Sequence, residues 1–357
     1  MSLGTPVCDL LGIRVPILLA GMANGPSTPE LAAAVSRAGG LGVLGASGLS
    51  CATLERQIAR VRELAPGAPF GVNAQLAGPT PATGERARIS AVLAPFRREL
   101  GLPEDPPEPA EAASPLELIE CALASGASVI TTFDDPAPVA EATRAAGAAL
   151  LPMVTTIAEA RRARACRADG LIAQGSEAGG HRGTYGGGEA RGGGVMALVP
   201  QIADEAAGLP VLASGGIMDG RGIVAALALG AQGVSLGTCF LGSVESGVAD
   251  AYADTLPETR AERTVVTDLV TGRPARWIRN RLVDALVEAD PGTLGWGRQA
   301  ALVADVRRAA AEQGRADILP MLAGEGAAMS SAREPAAEIV ARLVREADDV
   351  LRALGSA

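Results

Sequence analysis

Lysine is absent from this 357-residue chain, so all 31 of its basic residues are arginine. That absence removes whole reaction classes, because a Schiff-base aldolase, a pyridoxal enzyme and a P-loop phosphotransferase each depend on a lysine. Aromatic residues make up only 2% of the chain against a hydrophobic content of 48%, so the interior must be packed with Ala, Val, Leu and Ile. Short aliphatic side chains suit helices lying close on strands. Cysteine is scarce and odd in number: Cys8, Cys51, Cys121, Cys166 and Cys239 are widely spaced, with no C-x-x-C pair. This argues against a disulfide framework and against a structural zinc site. The net charge is −9 and no basic run or aromatic-basic interleaving occurs, which argues against a nucleic-acid surface. No apolar run approaches membrane-span length, and the start MSLGTPVCDLLGIRVP lacks the charged opening and apolar stretch of a signal peptide. A reducing cytoplasm is the expected compartment.

A single histidine is present, His181, in the string QGSEAGGHRG (174–183), after a strand-like apolar run and inside a glycine-dense loop. Imidazole can take or give a proton near neutral pH, so its placement there reads as catalytic. The plainer reading is a hydrogen-bonded scaffold histidine.

Short apolar runs rich in β-branched residues recur along the chain, each followed by a segment of helical period. They fall at 15–22, 41–47, 70–76, 128–134, 149–155, 170–176, 210–216 and 233–241. The segment TPELAAAVSRAG (28–39) shows the intervening helices well, with a Thr N-cap, Pro at the first helical position and a closing glycine. Eight strands alternating with helices predict an α/β fold, a closed (β/α)8 TIM barrel rather than an open doubly wound sheet. The barrel is expected over 1–241, with an insertion at about 77–115 that holds a helix and a proline-rich acidic stretch. Residues 242–357 are expected to form a C-terminal helical segment packing on the barrel.

In such barrels the reacting groups come from the C-terminal ends of the strands. Here those ends are Ala20-Gly21-Met22, Asn73, Gln174-Gly175, Ser214-Gly215-Gly216 and Gly237-Thr238. The last two, on consecutive strands, offer backbone amides and a hydroxyl and read as a phosphate cradle. Taken singly, either could be a turn and nothing more. Gly192, Gly194 and Ala197 match the spacing of a dinucleotide fingerprint, but no strand precedes them, so that reading is discarded. The run 181–194 reads as a glycine-hinged lid over the sixth strand end.

The strings PILLAGMANGPSTPELAAAVSRAGGLGVLGA, FGVNAQL, LIAQGSEAGGHRG, LPVLASGGIMDGRGIVAALALGAQGVSLGTCFL and TGRPARWIRN together resemble the nitronate monooxygenases, formerly 2-nitropropane dioxygenases. The resemblance extends to MLAGEGAAMSSAREPAAEIV and so covers most of the chain. It implies a flavoprotein holding non-covalent FMN. At the matching positions Ala20, Gly21 and Met22 would line the flavin, Asn73 and Gln174 would bond its ring edge, and Gly179 and Gly180 would approach it. Ser214, Gly215, Gly216, Gly237 and Thr238 would take its phosphate, and His181 would be the active-site histidine. The implied partners are O2 and a small-molecule substrate, a nitronate or nitroalkane, with a homodimer among the assemblies open to such a barrel. The implied reaction oxidises the nitronate to a carbonyl compound and nitrite. The alternative is an NAD(P)H-dependent reductase of the same superfamily, acting on an enoyl thioester or a quinone; a phosphate-binding barrel without flavin is a third.

The chain departs from the family pattern at three places. TTFDDP puts Asp134 and Asp135 where many relatives carry a glycine after the aromatic, so that the acids either face the substrate or cap the next helix. GASGLS lacks a nearby tyrosine, and Glu325 stands where glutamine is common. Arg182 reads either as an anion binder or as an ordinary solvated arginine.

Overall fold

The computed structural model describes residues 3–76, 80–104, 113–185, 192–330 and 333–356. Eight parallel strands form its centre: β1 (Ile17–Leu19), β2 (Gly42–Gly45), β3 (Phe70–Gln75), β4 (Val129–Phe133), β5 (Ala149–Val154), β6 (Leu171–Gln174), β8 (Val211–Ser214) and β9 (Gly233–Leu236). Their order runs β1-β9-β8-β6-β5-β4-β3-β2. The ends meet where Leu19 N–H donates to Leu41 and Leu41 N–H to Ile17, at 2.9 and 3.0 Å, and the sheet closes into a barrel. All eight strands expected from the sequence are present. The eighth is shorter than its apolar run: it stops at Leu236, and Thr238–Leu241 turns into a short helix, α10, after Gly237.

Strand alternation divides the aliphatic residues between two cores. Leu18, Val43, Val129, Leu151, Met153, Ile172 and Leu212 fill the barrel interior, and Val7, Leu11 and Ile13 pack onto them. Val7 and Leu11 belong to α1 (Pro6–Leu11), which plugs the N-terminal end. The opposite set, including Leu19, Leu44, Val72, Ile130, Leu171, Val211 and Val234, packs on the surrounding helices. Among these helices α2 (Pro29–Ala38) follows the sequence signals closely. The Thr28 side chain accepts from Leu31 N–H, and Gly39 ends the helix at φ 104°, a left-handed conformation that glycine adopts without strain. Then α3 (Cys51–Leu64), α5 (Pro115–Ala124), α6 (Ala137–Ala145), α7 (Ile157–Ala165), α8 (Val195–Glu205) and α9 (Gly220–Ala228) continue the ring.

After the barrel the chain runs through α11 (Asp250–Thr255), β10 (Thr264–Thr267), β11 (Ala275–Ile278), α12 (Arg281–Ala289), α13 (Arg298–Glu312) and α14 (Ala336–Gly355). The two strands are not visible in the helical pattern of this stretch. Residues of α12, α13 and β11 share a second hydrophobic core with Ile89, Leu93 and Phe96 of α4 (Arg86–Glu99), the helix of the insertion. α5 (Pro115–Ala124) then leads back to β4. Helix α14 returns to the barrel and packs on α2 and α9. There Glu346 Oε2 accepts from Gly220 N–H at 3.0 Å. Antiparallel pairing of β11 with β10 and with β7 (Gly180–His181) ties the loop after β6 to this second layer. No helix among the described residues is long and apolar enough to cross a membrane.

Candidate active site

The C-terminal mouth of the barrel holds a cavity lined by Ala20, Gly21, Asn73, Thr131, Phe133, Met153 and Ser235 above the aliphatic layer. Gly21 is required there, since a Cβ on it would stand 2.4 Å from the Asn73 Cβ. Asn73 is buried, and its Nδ2 donates to the Thr131 hydroxyl and carbonyl at 2.9 and 3.2 Å. Gln174 is buried too and acts as a latch: Nε2 donates to the His181 carbonyl at 3.0 Å, and Oε1 accepts from Gly183 N–H at 2.8 Å.

Around the same mouth, Ser214 ends β8, and Gly215 and Gly216 follow at φ 121° and 67°. One strand on, Gly237 leads into Thr238 at the start of α10. The backbone N–H groups of Gly215, Gly216, Gly237 and Thr238 donate to nothing among the described residues. Thr238 Oγ1 accepts from Gly324 N–H at 3.0 Å, which leaves its own hydrogen free to donate. Unpaired donors converging from two neighbouring strand ends fit a phosphate, whose oxygens only accept. Gly179 packs against this group, because a Cβ on it would lie 2.4 Å from Gly324 N. Gly180 has open space around its Cβ position.

His181 sits on the rim, in β7, opposite Ala275 of β11. Its Nε2 lies 2.9 Å from Thr271 Oγ1. The chain's two tryptophans flank it edge to face, Trp296 at 4.9 Å and Trp277 at 6.2 Å between ring centroids. Removal from water, reinforced by the positive Arg273, lowers its pKa to about 3, so the imidazole is neutral at physiological pH.

The glycine-hinged lid expected over 181–194 is corrected in its first part. Arg182 N–H donates to the Pro274 carbonyl at 2.8 Å, and the buried Glu159 carboxylate accepts from Thr184 Oγ1 and Tyr185 N–H at 2.8 Å each. Residues 186–191 lie outside the described residues. Arg182 is neither solvated nor free to bind an anion: it is 1% exposed and donates to the carbonyls of Gly175 and Gln174 at 2.7 and 3.1 Å. Burial, with the nearby Arg276 charge, lowers its pKa to about 10.

The acidic pair after β4 splits in role. Asp134 is buried at φ 71°, a conformation glycine adopts freely, and pairs with Arg273. Asp135 caps α6, accepting from Ala137 N–H at 3.0 Å, and meets Arg162 at 2.8 Å. Glu325 forms an ion pair with Arg276 at 2.9 Å, and Arg276 also donates to the Ser176 carbonyl at 2.7 Å. Thr271, Arg273, Trp277 and Trp296 were not singled out from the sequence. TGRPARWIRN carried part of the resemblance, but nothing in its spacing tells that it lies beside His181.

The fold and the site together define an α/β barrel with unpaired backbone donors and a neutral histidine around the C-terminal mouth of its strands. A model of the family described as nitronate monooxygenase matches residues 5–346. The chain is 35% identical to a probable nitronate monooxygenase of Staphylococcus saprophyticus, over 98% of this chain and 99% of that one. A Staphylococcus aureus protein of the same name is 33% identical over 96% and 97%. Among solved structures, nitroalkane oxidase from Streptomyces ansochromogenes superimposes with a TM-score of 0.87 at 34% identity, covering 98% and 99% of the two chains. FabK from Thermotoga maritima gives 0.79 at 29% identity, with 99% of each chain covered. The chain belongs to the nitronate monooxygenase family and is a flavin-dependent oxidoreductase of that type.

Proposed function

We propose that this protein binds FMN across the barrel mouth and oxidises alkyl nitronates with O2 to a carbonyl compound and nitrite, accepting nitroalkanes where His181 removes the α-proton. Gly215, Gly216, Gly237 and Thr238 would hold the phosphate through their unpaired N–H groups and the Thr238 hydroxyl, with Ser214 beside them. Ala20, Gly21 and Met22 would line the ring system, with Asn73, Gln174, Gly179 and Gly180 around its edge. When bound there, FMN would supply the electron transfer to oxygen that no side chain here can perform.

The observation that carries the reaction is the setting of His181. The Thr271 hydroxyl also lies 3.5 Å from the Arg273 carbonyl, which can only accept. With its hydrogen directed there, Thr271 accepts from Nε2–H of His181, and the Nδ1 lone pair stays free as a base. Trp296 and Trp277 flank the ring and its surroundings disfavour the charged form, so a proton on it becomes favourable only beside a negative partner such as a nitronate. His181 would therefore serve as base toward a nitroalkane and, once protonated, as counter-charge to the nitronate formed.

The alternative is an NAD(P)H-dependent reductase on the same flavin. An enoyl reductase domain of MlnA from Bacillus amyloliquefaciens shares the fold, at 12% identity and a TM-score of 0.67, so the fold alone does not separate the two chemistries. Oxygen-electrode traces with the visible spectrum recorded do separate them. Oxygen uptake with preformed nitronate and no NADH supports the oxygenase; no uptake, with rapid NADH oxidation by a quinone, selects the reductase. Colourless protein that takes up no FMN removes both.

A further inference from the structure

Among the described residues, each arginine around His181 is committed to the protein itself. Arg182 donates to two carbonyls, Arg273 to Asp134 and to the Arg182 and Thr184 carbonyls, and Arg276 to Ser176, Thr264 and Glu325. With lysine absent, none of these three arginines is left over for an anionic substrate. An amide donor at the mouth, on the His181 side, is uncommitted among the described residues. Gln75 is 6% exposed, and its Nε2 is buried with no hydrogen-bond partner among the described residues.

The register shows where that amide points. Gln75 stands two residues beyond Asn73 on β3, so both project to the same face, with Gln75 about 6.6 Å further out. Asn73 pairs with Thr131 and Gln75 with Phe133, and Asn73, Thr131 and Phe133 all line the mouth cavity. Gln75 therefore faces the cavity above Asn73, on the rim that continues through Phe133 and Asp134 to Arg273 and the His181 loop. Its backbone is fixed there by Gln75 N–H donating to Ser47 Oγ at 3.1 Å. A buried amide with no partner is costly to the folded protein, which fits a group that waits for a ligand oxygen.

We propose that Gln75 is a substrate-positioning residue whose Nε2 donates to the anionic oxygen of the bound nitronate. This rests on the nitronate reading above and adds to it the group that recognises the oxyanion. Because the amide acts on bound substrate before and during oxidation alike, its loss weakens binding more than turnover.

The test compares wild type, Gln75→Leu and Gln75→Glu as FMN-loaded proteins. Three quantities are read: flavin content with melting temperature, KM against kcat for propyl-1-nitronate, and the anaerobic Kd for that nitronate from tryptophan fluorescence. Trp277 and Trp296, the only two tryptophans, both report from beside His181. Gln75→Leu is expected to raise Kd and KM by about ten- to hundredfold, leave kcat within about threefold and keep flavin and melting temperature unchanged. Gln75→Glu, which also places a negative charge beside the anion, is expected to bind more weakly still. An unchanged Kd in Gln75→Leu overturns the inference, and so does flavin loss from that variant, which would put the amide on the cofactor. If wild type consumes oxygen with nitronate while Kd ignores Gln75, the activity stands and this inference falls. If wild type does not oxidise nitronate, the activity falls, and the anaerobic Kd still decides the role of Gln75.

Discussion

Asp134 and Arg273, 139 residues apart in sequence, form a buried bidentate ion pair: Nη1 meets Oδ2 and Nη2 meets Oδ1, each at 2.8 Å. The remaining Arg273 donors hold the carbonyls of Arg182 and Thr184, so this pair anchors the His181 loop over the barrel mouth. It also cancels the negative charge that the sequence puts at the end of β4.

Removing one partner leaves a buried charge uncompensated. Asp134→Ala is expected to lower stability by about 3–5 kcal/mol, measured by denaturant unfolding. Asp134→Gly loses the same pair but suits the positive φ, so it should be less destabilised than Asp134→Ala by about 1 kcal/mol. Equal losses would mean that the backbone carries no strain there.

The lowered pKa of His181 ties stability to pH. Above the unfolded value of 6.5 the ring is neutral in both states, and the contribution is fully present. As pH falls from 6.5 toward about 3, the unfolded chain takes up a proton that the folded protein refuses, and stability is lost. Wild type should therefore lose stability with falling pH faster than His181→Asn, by no more than about 1.4 kcal/mol per pH unit. Unfolding curves of the two proteins between pH 7 and 5 check this; parallel slopes would show a solvated imidazole.

Catalysis should divide along the same residue. His181→Asn is expected to lose about 10²–10⁴-fold in kcat/KM with a neutral nitroalkane, which needs a base, and much less with preformed nitronate. Steady-state oxygen uptake with both substrates measures the difference. Equal losses would remove the base role.

Gly237 tests the phosphate cradle without straining the fold. Its φ of −108° suits any residue, and a Cβ on it would touch only Ala20 Cβ and Met22 Sδ, each at 3.5 Å. Gly237→Val should fold but crowd the unpaired amides, reducing FMN affinity by about tenfold or more. The ratio of flavin to protein absorbance after dialysis, read beside the melting temperature, gives the result. Full flavin retention would place the phosphate elsewhere.

The sequence by itself determined the barrel. Hydrophobic period, N-caps and helix-ending glycines act over a few residues, so the eight strands and a helix such as Pro29–Ala38 are legible without any contact map. The glycines and polar residues at the strand ends were legible for the same reason, since barrel topology puts every strand end on one face. Only the tertiary structure decided how the histidine is held and which charges are free. His181 meets Thr271 across 90 residues, Asp134 meets Arg273 across 139, and Arg182, polar enough in sequence to look solvated, is buried because two carbonyls of β6 and its loop need donors. Those pairings arise from packing the C-terminal layer onto the barrel mouth, and no local pattern encodes which long-range partner a charged side chain will find.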